Sequence, residues 1–385
     1  MIKTPKLVMI PGPTPVIRSI QNQMARDTVA FGDPSFIEDF KEVVAELNGI
    51  LSCSGECFVV AGSGTLAMEM ALSNVTQQGD NVLICSHGFF GDRYVDIAQR
   101  KKLNTDVLRI AWGSAPTPEL IEAELIKKKY SVITITHAET STGAAAPVKE
   151  ICSMLKSKYP EVIVIIDGVA ATGGIEAYMD WGIDILFTCS QKCFGVSPGL
   201  AILWASERAV QKRKSLPPIP ESYIDFEKWI PVMHDPTKYW GTPPINLIWA
   251  LKESVCIIKE EGITERYKRH ERQAAILDEA MESIGFSVAA HKEFRAPTLS
   301  VYFYPEGSGI VDADFRRVLA EEGVQSAACL GEYAGKGIRL GHMGNIDKHT
   351  LVSTIAAVER TCVKCGYEIE LGRALGVLQQ GLTNE

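Results

Sequence analysis

The chain has 385 residues, 46% hydrophobic and 22% charged, with a formal net charge of −8. Such a composition points to a soluble, globular chain of about two domains and speaks against disordered or fibrous classes. The acidic balance argues against nucleic acid or an anionic membrane as main partner, because both need a basic face.

No run of about 18 apolar residues suggests a membrane span. The start, Met1 to Lys6, lacks a signal core, and the end, Leu382 to Glu385, lacks a lipidation or peroxisomal signal. Ten cysteines are scattered, with Cys57, Cys85 and Cys189 inside apolar runs, which predicts reduced, core-filling thiols and a cytoplasmic setting.

In chain order, strand-like and helix-like patterns alternate. Cys57 to Ala61 is a short apolar run, followed by the turn Gly62-Ser63-Gly64-Thr65 and a helix over Leu66 to Leu72. Further strands are expected over Asn81 to Cys85, Ser131 to Thr136, Val162 to Ile166, Ile183 to Cys189 and Leu200 to Trp204. Continuous Val/Ile-rich runs separated by helical stretches predict an α/β fold with a mostly parallel central sheet. The Pro- and aromatic-rich segment 217–244 has no clear assignment. From Ile257 to Met281 charges crowd in, which reads as an exposed helix leading out of the large domain. A strand over Thr298 to Tyr304, a helix over Asp312 to Glu322, a strand over Gly337 to Leu340 and a final helix over Asp347 to Cys362 then predict a smaller α+β C-terminal domain. The expected organisation is an arm over 1–20, a large domain over 21–270 and a small domain over 271–385.

Four polar clusters directly follow strand candidates: Gly62–Thr65, His137–Gly143, Asp167 and Ser190–Lys192. In an open parallel sheet the carboxyl ends of the strands line one crevice, so these clusters converge if the strands are parallel. The Gly-Ser-Gly-Thr turn opens a helix, whose free N–H groups bind a phosphate; the alternative is an ordinary strand-to-helix turn. It has neither a P-loop ending nor dinucleotide-fingerprint spacing. Asp167 is either a capping aspartate or a carboxylate that pairs with a protonated pyridine nitrogen. Lys192 has the apolar neighbours Cys189, Cys193 and Phe194, and a lysine in a poorly solvated pocket forms an imine with a carbonyl; a surface lysine is the plain alternative. Arg339 ends a short strand beside a Gly-rich turn, and a planar guanidinium there either clamps a carboxylate bidentately or sits in a surface ion pair. Together these features suit pyridoxal 5'-phosphate and an amino-acid substrate.

The ordered set Gly62-Ser-Gly-Thr65, Glu139-Thr-Ser-Thr-Gly143, Asp167-Gly-Val-Ala-Ala-Thr-Gly-Gly174, Ser190-Gln-Lys-Cys193, Pro198-Gly199 and Arg339-Leu-Gly-His-Met-Gly344 resembles the class V aminotransferases. The opening Pro11-Gly-Pro-Thr-Pro15 is similar to the alanine–glyoxylate and serine–pyruvate branch, and the resemblance runs from about residue 8 to about residue 365. It implies the pyridoxal-phosphate-dependent transferase fold type I and a homodimer with shared active sites. It also implies ping-pong transfer between a small amino acid (alanine or serine) and a 2-oxo acid (glyoxylate or pyruvate). By position, Lys192 would carry the cofactor and shuttle the proton, and Asp167 would pair with the ring nitrogen. Thr140 and Gln191 would reach the ring oxygen region, Ser63, Gly64 and Thr65 would hold the phosphate, and Phe90 would stack on the ring. Tyr239 and Thr242 would cross to the neighbour's phosphate, and Arg339 would bind the substrate carboxylate.

The chain departs from the family at Phe31-Gly32-Asp33-Pro34, where Gly-His-Arg is frequent, and at Phe90, where animal members often have Trp. Asp33 is therefore expected to alter which side chain or second anionic group the pocket accepts. Other donors of the same fold stay open: 2-aminoethylphosphonate, a ureido-amino acid such as ureidoglycine, or pyridoxamine. A cysteine desulfurase or lyase using Cys329 is disfavoured by Gln191 before the lysine and Phe90 at the stacking position, and a non-catalytic cofactor-binding regulator by the presence of both Asp167 and Arg339. Cys362-Val-Lys-Cys365 lacks the second ligand pair a zinc site needs, so no metal is expected. His342 reads as a structural turn histidine.

Overall fold

The computed structural model describes residues 6–383. Met1–Pro5, Asn384 and Glu385, which carry part of the terminal-signal readings, lie outside the described residues.

A seven-stranded sheet forms the centre: β1 (Glu56–Ala61), β2 (Asn81–Ser86), β3 (Asn104–Arg109), β4 (Val132–Thr136), β5 (Ile163–Asp167), β6 (Ile185–Cys189) and β7 (Leu200–Ala205). Their spatial order is β1-β7-β6-β5-β4-β2-β3. All pairs are parallel except those of β7, which runs antiparallel to both β6 and β1. Helices cover the sheet, so β4, β5, β6 and β7 are buried along their whole length, which is why they read as unbroken apolar runs. Strand β3 escaped the sequence reading: it is an edge strand, half-exposed along most of its length, and Asn-Thr-Asp-Val-Leu-Arg has no apolar run.

The register brings the chemistry to one edge. Thr136 at the end of β4 pairs with Asp167 at the end of β5, and Asp167 pairs with Phe187 of β6. Because β7 is reversed, Leu200 at its start lies beside Ala61 at the end of β1. The Gly62 N–H then donates to the Gly199 carbonyl at 2.9 Å, which sets the phosphate-type turn beside the loop after Lys192.

The helices that matter to the site are α1 (Gly64–Ser73), α2 (Phe89–Arg100), α3 (Ile245–Glu261), α4 (Ile263–Ser283) and α5 (Lys348–Lys364). Segment 217–244, left unassigned above, contains the helix Phe226–His234. The expected exposed helix over Ile257 to Met281 is a correction in two respects. It is two helices broken at Gly262, whose φ of +80° suits glycine, and much of the second is buried. Arg266 is fully buried there; its guanidinium donates to the carbonyls of Gly173 and Cys193, to Asn345 and to Glu261, so every arm of the charge is satisfied.

A second, antiparallel sheet is built from β8 (Ser287–Val288), β9 (Leu299–Phe303), β10 (Ala327–Ala328) and β11 (Gly337–Gly341), ordered β8-β9-β11-β10. It has its own apolar core, which includes Leu277 and Met281 of α4 and Leu351 and Ile355 of α5. The helix expected to be last is followed by another, Arg373–Thr383, which buries Ala374 and Leu378 on that core. Two glycines weaken its helical reading, yet a Cβ at Gly381 would come within 2.7 Å of Ile276, so the close approach to α4 requires a glycine. All ten cysteines are unpaired and most are buried. Among the described residues no helix is long and apolar enough to cross a membrane.

Candidate active site

A cavity of about 230 Å³ opens at the edge where β4, β5 and β6 end. Ser63, Gly64, Thr65, Phe90, Thr140, Asp167, Gln191 and Lys192, far apart in sequence, all line it. Arg339 stands directly behind: its Nη1 donates to the Thr140 carbonyl at 3.0 Å and its Nε to the Ala328 carbonyl at 2.7 Å. It forms no ion pair among the described residues. Tyr239 and Thr242 are not part of this chain's cavity. Tyr239 is exposed, its hydroxyl is 3.3 Å from that of Thr242, and its ring packs 5.2 Å from Phe31.

Lys192 follows β6 and is half-buried beside Cys193 and Phe194. Burial lowers its amine below the usual lysine value, and the Arg339 cation adds to this against the opposing effects of Cys189, Cys193 and Asp167. Its Nζ donates to the Pro11 carbonyl. The Thr14 N–H and hydroxyl hold the Gln191 and Lys192 carbonyls at 3.0 and 2.9 Å, so the N-terminal segment lies across the lysine. A Cβ at Gly12, whose φ is +93°, would stand 2.5–2.6 Å from the outer Lys192 side chain. The positive φ favours glycine there, and the missing Cβ leaves room for the end of that side chain.

Three observations fit pyridoxal phosphate to this cavity. Helix α1 starts at Gly64 with no side-chain cap, leaving first-turn N–H groups free, and the hydroxyl-bearing Ser63 and Thr65 stand beside them. Asp167 is buried with one hydrogen bond, from the Val169 N–H at 3.0 Å, and burial pushes its carboxyl up to about 7; a protonated pyridine nitrogen supplies the missing countercharge. Gln191 Oε1 and Thr136 Oγ1, on two residues that line the cavity, are buried with no partner among the described residues, and a buried polar atom left unpaired calls for a ligand or water.

Sequence reasoning missed three contributors. Glu139 is fully buried, and its carboxylate accepts from the N–H groups of Phe90 and Gly91 at 2.9 and 3.1 Å and from Ser141. It thus caps α2 and fixes Phe90 at the cavity wall. Arg93, one turn beyond Phe90 on the same face, also lines the cavity. The i, i+3 spacing after the Gly88 turn was the available signal. Thr136, the third, is the last residue of a strand that sequence patterning did identify.

Asp33 lies at a helix start. It caps the helix Pro34–Ile50, accepting from the Ser35 N–H and hydroxyl at 2.9 and 2.6 Å, and it does not line this chain's cavity. Cys329 is buried, and burial pushes its thiol up to about 11, opposite to what a nucleophile needs. His342 is fully buried and held neutral by burial, with Nε2 3.2 Å from the Ser300 hydroxyl.

Comparison with known proteins agrees with this geometry. Residues 22–336 match the family Aminotransferase class-V. An uncharacterised aminotransferase of Methanocaldococcus jannaschii is 34% identical over 368 residues, covering 95% of this chain and 94% of that one. The crystal structure of alanine–glyoxylate aminotransferase from Nostoc sp. superposes with a TM-score of 0.88 at 32% identity, covering 94% of this chain and 96% of that one. That of ureidoglycine–glyoxylate aminotransferase from Bacillus subtilis superposes with a TM-score of 0.94 at 28% identity over the whole of both chains. The chain therefore belongs to the class V aminotransferases and is a pyridoxal-phosphate-dependent enzyme of that family.

Proposed function

We propose that the enzyme transfers an amino group between a small amino acid, alanine or serine, and a 2-oxo acid, glyoxylate or pyruvate, in ping-pong fashion. The observation that carries this reading is the convergence of Lys192, Asp167 and the uncapped start of α1 on one cavity, with the Arg339 guanidinium behind it.

Bound pyridoxal phosphate supplies an electron sink and a carrier for the amino group, chemistry that no side chain here provides. The protein's own groups do the rest. Ser63, Gly64 and Thr65 would hold the phosphate against the α1 N-terminus. Asp167 would keep the ring nitrogen protonated, and Phe90 would cover one ring face and exclude water. Thr140 and Gln191 would serve the ring oxygen side. The Lys192 amine, lowered by burial, would hold the cofactor and then move a proton to and from the substrate Cα. Arg339, its plane fixed by two backbone carbonyls, would take the substrate carboxylate.

The proposed assembly is a homodimer in which Tyr239 and Thr242 reach the neighbour's phosphate; their exposure in the single chain supports this. The separate apolar cores support a large cofactor-binding domain over 21–270 and a small one over 271–385 behind an arm over 1–20. Ten unpaired thiols suit the cytoplasm.

The test is a stopped-flow screen of half-reactions. The cofactor band should be lost with alanine or serine and return with glyoxylate or pyruvate. A band moved only by ureidoglycine, 2-aminoethylphosphonate or pyridoxamine would replace the donor assignment. A band unmoved by any amine would remove the transamination reading.

A further inference from the structure

Among the described residues that line the cavity only Lys192 and Arg93 are cationic, and only Asp167 is anionic. With Lys192 committed to the cofactor and Asp167 to the ring nitrogen, one fixed charge remains to face a phosphate. Arg93 is half-buried, forms no ion pair among the described residues, and has its guanidinium carbon 4.9 Å from the centre of the Phe90 ring. Its Nη1 donates to the Thr65 hydroxyl oxygen at 3.0 Å. That hydroxyl donates to no protein group among the described residues. A hydroxyl has one proton to give, and an acceptor already engaged by a guanidinium leaves that proton free for an anion. The competing helix end is closed: the Glu139 carboxylate occupies the first N–H groups of α2, so the α1 terminus beside Thr65 is the open one.

We propose that Arg93 is a positioning residue for the cofactor phosphate, acting through the Thr65 hydroxyl and supplying the positive charge that the phosphate end of the cavity otherwise lacks. This rests on the reading of Ser63–Thr65 as the phosphate cradle.

The experiment compares pyridoxal phosphate with pyridoxal, which lacks the phosphate, on enzyme resolved from its cofactor. Equilibrium binding is read by cofactor absorbance and tryptophan fluorescence for wild type, Arg93→Met, Arg93→Lys and Thr65→Val, with thermal melts as a control for folding. A lost charge-assisted hydrogen bond weakens binding by about tenfold to a hundredfold, so Arg93→Met should weaken pyridoxal phosphate by that factor and leave pyridoxal unchanged. Inorganic phosphate should compete more weakly by a similar factor, and Arg93→Lys should recover part of the loss. Equal weakening of both ligands, or weakening of neither, overturns the inference. If Thr65→Val lowers the ratio and Arg93→Met does not, the cradle stands and the role of Arg93 falls. If Ser63→Ala and Thr65→Val both leave the ratio unchanged, the cradle reading itself falls.

Discussion

The cavity at the carboxyl edge of the large sheet and the polar network under the second sheet are both buried, yet they treat their carboxylates in opposite ways. In the second core, Asp278 accepts from the hydroxyls of Ser300 and Tyr302 at 2.9 and 2.7 Å and from Arg295 at 3.3 Å. Glu359, also buried, accepts from the N–H groups of Gly372, Ala374 and Leu375. At the cavity, Asp167 has a single N–H, while Gln191 Oε1 and Thr136 Oγ1 have no partner among the described residues. An unpaired buried group costs about 1–3 kcal/mol, and a ligand that completes Asp167, Gln191 and Thr136 would recover that cost at the cavity. The Asp278 and Glu359 carboxylates are filled by protein donors, whereas the Asp167 carboxylate keeps acceptor capacity for a ligand; single orphans such as Arg295 Nε and His342 Nδ1 also occur beside Asp278.

That contrast can be broken by substitution. Lys192→Ala should reduce kcat by about a thousandfold or more, as loss of a positioned proton-transfer group does, and abolish the covalent cofactor band. Steady-state rates and absorbance spectra check both.

Asp167→Asn should lower kcat by about a hundredfold while stabilising the cofactor-free protein at neutral pH. The sign follows from burial. The folded-state carboxyl lies at about 7, above its unfolded value, so its ionisation costs folding energy as pH rises from about 4 through 7. The asparagine variant should gain up to about 4 kcal/mol over wild type across that window and nothing below it. Denaturant melts at several pH values give the difference; a gain that did not grow with pH would contradict the unpaired state of Asp167.

Asp278→Ala should do the reverse, costing about 3 kcal/mol because the buried Ser300 and Tyr302 hydroxyls lose their carboxylate acceptor, while Arg295 keeps Glu282. Cofactor affinity should be unchanged, and urea melts with a binding titration separate the two effects. The smallest effect is expected for Glu139→Gln. The carboxylate cap of α2 is weakened, at about 1 kcal/mol, and the melting temperature should fall by a few degrees.

How much of this was legible in the sequence depended on where each signal resides. Strands covered on both faces, such as β4 and β5, read directly as apolar runs. The polar residues that stop them, Asp167 and Lys192, stood out for the same reason. Strand β3 did not, because a half-exposed edge strand has no such run. Glu139 and Arg93 were missed because each acts across the fold: Glu139 caps a helix 49 residues earlier in the chain, and Arg93 reaches Thr65 from the next helix. Nothing local marks Tyr239 or Thr242; only family resemblance brought them forward. Arg266 read as one charge among many because three of its four acceptors, Gly173, Cys193 and Asn345, come from distant segments and only Glu261 is a neighbour in sequence.

The most direct measurement is borohydride reduction of the holoenzyme followed by peptide mass mapping. A phosphopyridoxyl group on the peptide containing Lys192, lost when an amino donor is added before reduction, is the expected result. The same group on another lysine, or none with bound cofactor present, would contradict the role assigned to Lys192.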